Sequence, residues 1–484
     1  MTDHERVATA VDKLLSTLEA DDRIAFAEVG GVHRETSEVV VTEREVRSDI
    51  EHATAGVWCR VFADGSAAYR FSTDLSADGL EEIADRAATA GKQLGQSTPA
   101  RVDLASLHRG VHDGWAREPT TAIDLDAKRE RVADAVTDLD LSLDRARVTY
   151  EDRRVASMVA TTAGSVVRTT LDRASLDATL VPTDADSKVR RHAGSTRGGA
   201  FLERVSDVLD SAARDAADLA AAGTTAATTG DTTVVLGPEA AAQLCHELAG
   251  YLAADLKAFG FTPFDRGDRL TEAPLTIDDG VAAGSWAARA YDAEGRPTTP
   301  VRLVEDGRVE SFLHDTQTAV EANAVPAGNA VPALGYEQAP RIHHRHLDVA
   351  AGDASRESLL ADADVYVRRF APGHYSDPFE RTQRSGEMPP SAPYAHDVAE
   401  RLEGSADGGT VELLIAEGFR IEGGKLGAAV SGTAVWTPAT LETINGIGRE
   451  RETVTGVDSK HKSRIPYAVT APAVRLTLPL KESS

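Results

Sequence analysis

The chain has 484 residues, enough for two large domains or three small ones, and nothing in its composition is fibrous or globally disordered. Its 77 acidic side chains outnumber 52 basic ones, nine of them Lys, and the formal net charge of −25 favours solubility and opposes non-specific nucleic-acid binding. No run approaches the roughly 20 apolar residues of a membrane span, and the N-terminal residues lack the apolar core of a signal peptide, so a cytoplasmic protein with no membrane or nucleic-acid partner is expected.

Residues 5–18 carry Val7, Val11, Leu14, Leu15 and Leu18 at helical spacing and predict a first helix. From residue 24 the period drops to two, which predicts strands over 24–29, 36–46, 56–62 and 66–71, with Asp64-Gly65 as a hairpin signal between the last two. A helix over 77–94 packs across that antiparallel sheet. Residues 95–119 are polar and irregular, with His108, His112 and Trp115 scattered through them. A helix over 124–139 follows, then strands over 146–150, 154–161, 165–171 and 175–182, with turns at Glu151-Asp152 and Ala163-Gly164. This second group of strands could extend the first sheet. A long Ala- and Asp-rich helix covers 201–222, and the Thr- and Ala-rich stretch after it reads as a linker. The boundaries are therefore an N-terminal domain over 1–222, a linker over 223–232 and a C-terminal domain over 233–484.

The C-terminal part opens with a short strand over 232–236 and Gly237-Pro238-Glu239, where Pro at the first helical position and an acid in the first turn mark a helix start. That helix is predicted over 238–259, closed by Gly260. The rest is mostly strand and turn: Asp278-Asp279-Gly280, residues 292–300, Glu305-Asp306-Gly307, a Pro- and Gly-dotted connection over 326–340, and a final group from Val411. The expected fold class is α+β in two domains, an N-terminal antiparallel sheet with packed helices and a C-terminal curled antiparallel sheet carrying one main helix.

Chemistry is sought first on that main helix, because His246-Glu247 sets a metal-binding residue type beside a general-base type. At 100° per residue, Leu244, Leu248, Tyr251, Leu252, Asp255 and Phe259 form a buried stripe. His246 lies on the other side with Gly250, Ala253 and Lys257, a row of small residues that another segment could approach closely. The i+4 position is Gly250, which excludes the common His-Glu-x-x-His zinc site. A wider spacing puts the second ligand at i+5, which is Tyr251, about 140° around an ordinary helix and reachable through a local π-type turn. On the residues alone, Tyr251 as core is the simpler reading. Cys59 and Cys245 are the only cysteines, and Cys245 reads as a small buried hydrophobe. In the run Ile342 to Leu347, His344 and His346 would share a face if the segment is a strand, beside His343. A polar surface strand is the alternative there. His314-Asp315 reads as a strand end, and Asn323 to Asn329 as a loop.

Taken together, these stretches resemble the TldD/PmbA family of metallopeptidase-like proteins over most of the chain. The resemblance is carried by residues 56–62, by 234–238 running into 244–250, by Asp278-Asp279-Gly280 and 289–295, by 309–315, 325–329 and Pro340-Arg341, and by 418–425. With its acidic, Lys-poor composition the chain is identified as a divergent member from a halophilic archaeon. The resemblance implies an intracellular peptidase for short, unfolded or precursor peptides, with a metal site in its C-terminal domain. It makes His246 the first metal ligand and Glu247 the general base toward a metal-bound water. Tyr251 then stands where the family has its second histidine, and Asp458 where it has a cysteine. Zinc is the family metal, and a phenol and a carboxylate in place of imidazole and thiolate suit a harder divalent ion such as iron or manganese. A homodimer is implied, or a heteromer with a TldD/PmbA paralogue. The alternative is a non-catalytic partner subunit of TldE/PmbA type with a degenerate metal site.

Overall fold

The computed structural model describes residues 3–63, 66–93, 108–183, 188–226, 229–258, 260, 262–332, 335–371, 411–460 and 463–482. The first half runs α1 (Asp3–Glu19), β1 (Phe26–Thr42), β2 (Glu45–Ala63), β3 (Ser66–Ser72), α2 (Ala77–Gln93), β4 (Arg109–His112), α3 (Leu125–Thr137), β5 (Leu143–Thr161), β6 (Val166–Pro182), β7 (Val189–Ser195) and α4 (Val205–Ala221). Its strands form one sheet in the order β3-β2-β1-β5-β6-β4, with β7 paired to β6. All of these neighbours are antiparallel except β4 and β6.

Helical periodicity places α1 correctly, since Val7, Val11, Leu14 and Leu18 are buried, the last three packing with α2 residues Leu80 and Ile83 over Val29, Val57 and Cys59. The strands are longer than the sequence predicts. Residues 24–29 and 36–46 belong largely to one strand, β1, and the turn to β2 falls at Glu43-Arg44, inside the second predicted strand. Both turn residues have positive φ, 54° and 66°, the geometry of a two-residue hairpin, although neither is the Gly, Asn or Asp that advertises such a turn. Glu151-Asp152 is likewise within β5, not at a turn, because Asp152 points inward to the buried Lys128 ammonium. The hairpin signal at Asp64-Gly65 lies outside the described residues, and so do all of 95–107.

The second half begins with β8 (Thr224–Ala226) and β9 (Gly230–Leu236), so the predicted linker is partly strand: Thr224–Ala226 runs parallel to residues 429–431. There follow α5 (Pro238–Tyr251), α6 (Ala254–Ala258), β10 (Ile277–Gly280), β11 (Val301–Glu305), β12 (Arg308–Val309), β13 (Ala330–Val331), β14 (Arg341–Ile342), β15 (His346–Val349), β16 (Val365–Phe370), β17 (Val411–Glu422), β18 (Lys425–Ser431), β19 (Thr433–Trp436), β20 (Gly446–Lys460) and β21 (Ser463–Lys481). Twelve of these strands share a sheet whose main path is β12-β11-β10-β15-β21-β9-β16-β17-β18-β8. It is mainly antiparallel, with parallel contacts at β15–β21, β9–β16 and β8–β18. The fold is α+β, as expected. One apolar core joins the halves, since Val235, Tyr366 and Phe419 pack with Leu176, Leu209 and Ala216 from the first.

The single helix predicted over 238–259 is two helices. At the break the Leu313 N–H donates to the Leu252 carbonyl (2.8 Å) and the Ala254 N–H donates to the Leu313 carbonyl (2.9 Å), so a bridging strand residue takes hydrogen bonds that a continuous helix would make internally. No described helix is long and apolar enough to cross a membrane.

Candidate metal centre

Helix α5 is buried on nearly every side, and its first turn is tied down by an ion pair between Glu239 and Arg369. The row of small residues beside His246 does what its spacing suggests. Ala249, Gly250 and Ala253 leave a shallow cleft of about 300 Å³ against which Ile342, His343 and His344 lie, with Asp458 and Lys460 of β20 completing the wall. Here His246 Nδ1 is 2.6 Å from His344 Nε2, and His343 Nε2 is 3.0 Å from Asp458 Oδ2. The other Asp458 oxygen is 4.0 Å from His246 Nε2. Ligand atoms of His246, His343 and His344 all lie within 4.8 Å of one another.

The segment that delivers the two extra histidines is irregular chain between β14 and β15, held by buried polar contacts. Asn329 donates from Nδ2 to the His343 carbonyl (3.1 Å) and to Asp279 (2.7 Å). Asp279 in turn accepts from the Arg345 backbone (2.7 Å) and guanidinium (2.9 Å). On the far side the Lys460 ammonium bonds the Ile342 carbonyl (2.6 Å) and Asp255 (3.0 Å). Tyr467 of β21 stacks on His246 with centroids 4.1 Å apart and planes at 15°. That ring fits because position 456 is glycine, where a Cβ would come within 2.6 Å of it.

Burial, reinforced by His343, brings His246 down to about 4, and burial with the three neighbouring imidazoles holds His344 well below its ordinary value. Both are neutral at pH 7, the state in which one ring nitrogen donates, the other accepts, and a lone pair is available to a cation. Asp458 is buried, which would raise it, but the hydrogen bond from His343 and the electrostatic interaction with the His246 and His343 rings outweigh burial and keep it below the usual carboxylate range. Glu247 goes the other way. Burial, with the Asp458 charge nearby, pushes its carboxyl well up, and its Oε2 has no hydrogen-bond partner.

This donor set fits a divalent cation: neutral imidazoles and an ionised carboxylate, converging on one cleft with their outer groups held. Two imidazole nitrogens on one tetrahedral zinc sit about 3.3 Å apart, so the His246–His344 pair would open by less than about 1 Å to admit the ion.

Of the sequence candidates, the structure brings together His246 and Asp458, with Glu247 adjoining. It does not bring Tyr251. Helix α5 is regular α-helix through Tyr251, without the π-type turn that i+5 ligation needs, and the phenol ring instead stacks on Trp436 (5.5 Å, 21°) and meets Phe264 edge-on, within the apolar core. The expected sharing of a face by His344 and His346 also fails, because residues 343–345 are not strand. His346 bonds Ser285 (2.8 Å) and Thr470 (2.9 Å), while His343 and His344 turn to the cleft. The signal available was the doubled imidazole opposite a small-residue helix face. Cys245 is a buried thiol, pushed up to about 12 by burial. His314 bonds Thr318 (3.3 Å), and Asp315 caps the short helix after it.

Comparison with known proteins bears on the same region. Residues 229–384 match the PmbA/TldA metallopeptidase C-terminal domain, and residues 27–91 match the PmbA/TldA metallopeptidase domain 1. A metalloprotease of Methanothermobacter thermautotrophicus is 24% identical over 474 residues, 95% of this chain and 96% of the relative. A metalloprotease of Methanocaldococcus jannaschii is 25% identical over 364 residues, 73% of this chain and 78% of the relative. Among solved structures, TldE from Thermococcus kodakarensis superposes with a TM-score of 0.70 at 15% identity, covering 98% of this chain and all of that one.

Proposed function

We propose, for a chain that belongs to the TldD/PmbA family of metallopeptidase-like proteins, that it hydrolyses short or unfolded peptides at the cleft between α5 and residues 342–344. The observation that carries this reading is the convergence of His246, His343, His344 and Asp458 beside a buried carboxyl, Glu247, that is held protonatable. These imidazoles and the Asp458 carboxylate are the residues that would hold a divalent cation. When bound, such an ion supplies a Lewis acid that polarises a peptide carbonyl.

The chain's own groups supply the proton chemistry. Glu247, raised by burial, takes a proton from the attacking water as its carboxylate and returns it to the leaving amine as its acid. Its Oε2, without a partner, is free to accept that proton. Asp458 keeps its charge and orients His343 through the 3.0 Å hydrogen bond. Tyr467, stacked on His246, covers that ring and limits its rotation. Glu247→Gln keeps the shape of the side chain and removes the transferable proton, so peptide hydrolysis falls by at least about 10²-fold with the thermal transition unchanged. Activity equal to wild type in that variant would sink the proposal.

The second reading, a non-catalytic subunit completing a heteromer with a paralogue, is favoured by Tyr251, which occupies the family's second-histidine position as core. It predicts a stable complex with a paralogue and no hydrolysis by this chain alone. A homodimer that cleaves peptides and takes up stoichiometric divalent metal decides for the first reading.

A further inference from the structure

A second cleft lies elsewhere. It encloses about 920 Å³, counting its open mouth, where the first sheet meets residues 289–293 and 332–340. One wall is aromatic, with Trp58, Tyr69, Tyr291 and Tyr336. Two of these rings lie against backbone that only glycine leaves open: a Cβ on Gly56 would be 2.3 Å from the Tyr336 ring, and one on Gly110 would be 2.1 Å from the Tyr291 hydroxyl.

The facing wall is cationic and lacks counter-charge. Arg173 is buried, and its two hydrogen bonds both go to backbone carbonyls, Trp286 at 3.1 Å and Ala288 at 3.4 Å. Arg289 bonds the Pro332 carbonyl at 3.3 Å. Among the described residues neither guanidinium has a carboxylate within ion-pair distance. Asp292, which lines the same cleft, spends its oxygens on the backbone N–H groups of Glu294, Arg296 and Ala330. Arg153 pairs with Glu151 at 2.7 Å and leaves its Nε without a partner. Burial first, then repulsion from Arg289 and Arg153, lowers Arg173 well below its ordinary value, and burial brings Arg289 down to about 10, which leaves Arg289 charged at pH 7. Among the described residues that line this cleft, Asp292 is the one acid. A buried, unpaired charge is expensive in isolation, and an incoming anion is what would relieve it.

Resting on the peptidase reading above, we propose that this cleft is a carboxylate subsite. Arg173 and Arg289 hold a peptide carboxylate, C-terminal or from an Asp or Glu side chain, while Trp58, Tyr69 and Tyr336 take the adjoining apolar side chain. The guanidinium fork matches a carboxylate in two-point geometry, which a Lys ammonium could not. The cleft is also connected to the histidines. Pro332, Gly335, Tyr336, Gln338 and Pro340 line it, and the same segment continues directly into Ile342, His343 and His344 at the other cleft. A peptide lying along this segment would carry its acid end to the arginines.

The test is calorimetric titration of the full chain with three probes: N-acetylphenylalanine, its neutral amide, and N-acetyl-aspartyl-phenylalaninamide. At least one acid should bind about tenfold or more tightly than the neutral amide, and the preference should survive added salt because the site is buried. The first acid identifies a C-terminal carboxylate as the source, and the third probe a side chain. Arg173→Gln and Arg289→Gln should each abolish the preference; if the buried Arg173 variant fails to fold, the partly exposed Arg289 decides. Equal binding of acids and amide, or no binding by any probe, overturns the proposal. Because binding is read without turnover, an acid preference in a protein that hydrolyses nothing keeps this subsite and removes the peptidase reading. Hydrolysis without an acid preference does the reverse.

Discussion

The substitution pair Tyr251→Phe and His344→Ala separates the two ways of assembling a metal centre around His246. Tyr251→Phe removes one hydroxyl and keeps the stack on Trp436 and the edge contact with Phe264, so stability should change by about 1 kcal/mol or less and ion uptake not at all. His344→Ala removes an imidazole nitrogen 2.6 Å from His246 Nδ1. Losing even an outer partner of a metal ligand weakens binding about 10–100-fold, so losing an inner one should cost at least the upper end of that range. The metal-free protein should also lose about 1–3 kcal/mol, because His246 is left with a buried nitrogen unpaired. Elemental analysis after gel filtration, chelator competition and urea unfolding measure the three quantities. If Tyr251→Phe emptied the site while His344→Ala kept its ion, ligation would follow the i+5 spacing on the helix, and the cluster with His343 and His344 would be only a hydrogen-bonded network.

Two further outcomes test the frame that holds these sites. The Lys128 ammonium is buried against Asp152 (2.9 Å) and Ser37 (2.9 Å), so Lys128→Met should cost about 3–5 kcal/mol in urea unfolding by stranding Asp152. Adding Asp152→Leu should recover most of that loss, and a double variant no better than the single one would show that the pair does not act as a unit. Burial first, then the Glu294 charge, pushes Asp292 up to about 8, above its unfolded value near 4, so between those values the native state binds the extra proton and stability falls as pH rises. Relative to wild type, Asp292→Asn should therefore gain on the order of 3–4 kcal/mol on going from pH 5 to pH 8. A difference that does not vary with pH would mean Asp292 is ionised throughout.

What could be read from the sequence divides along physical lines. Amphipathic helices were legible because their stripes meet one sheet face: α1, α2, α3 and α4 all stand near their expected positions. Turns were legible where conformation demands a special residue, as at Gly164 with φ 97°, and not at Glu43-Arg44, where ordinary residues adopt positive φ because two long paired strands enforce it. The break after Leu252 leaves no local mark, since it is made by Leu313, far along the chain. The metal-site reading meets the same limit. Motif order pointed to His246 and Asp458, which lie in one cleft, while Tyr251 was assigned by spacing on a helix that is regular at that residue.

Ligation, however, requires direction in space and has no need of a particular interval along one helix. With Tyr251 turned into the core, α5 presents His246 over a surface of Ala249, Gly250 and Ala253, and no side chain of its own can answer it. The same lack of bulk lets residues 342–344 come close enough for His344 to reach His246. The contacts that fix this approach are ones a surface strand would not need: Asp279 bonded by both Asn329 and Arg345, and Lys460 on the Ile342 carbonyl. Four buried polar or charged side chains spent on three residues of irregular backbone make sense if the histidines they carry must be held in place. If His343 and His344 hold an ion, these contacts keep their imidazoles in place, and a metal analysis that finds none would leave the contacts as packing alone.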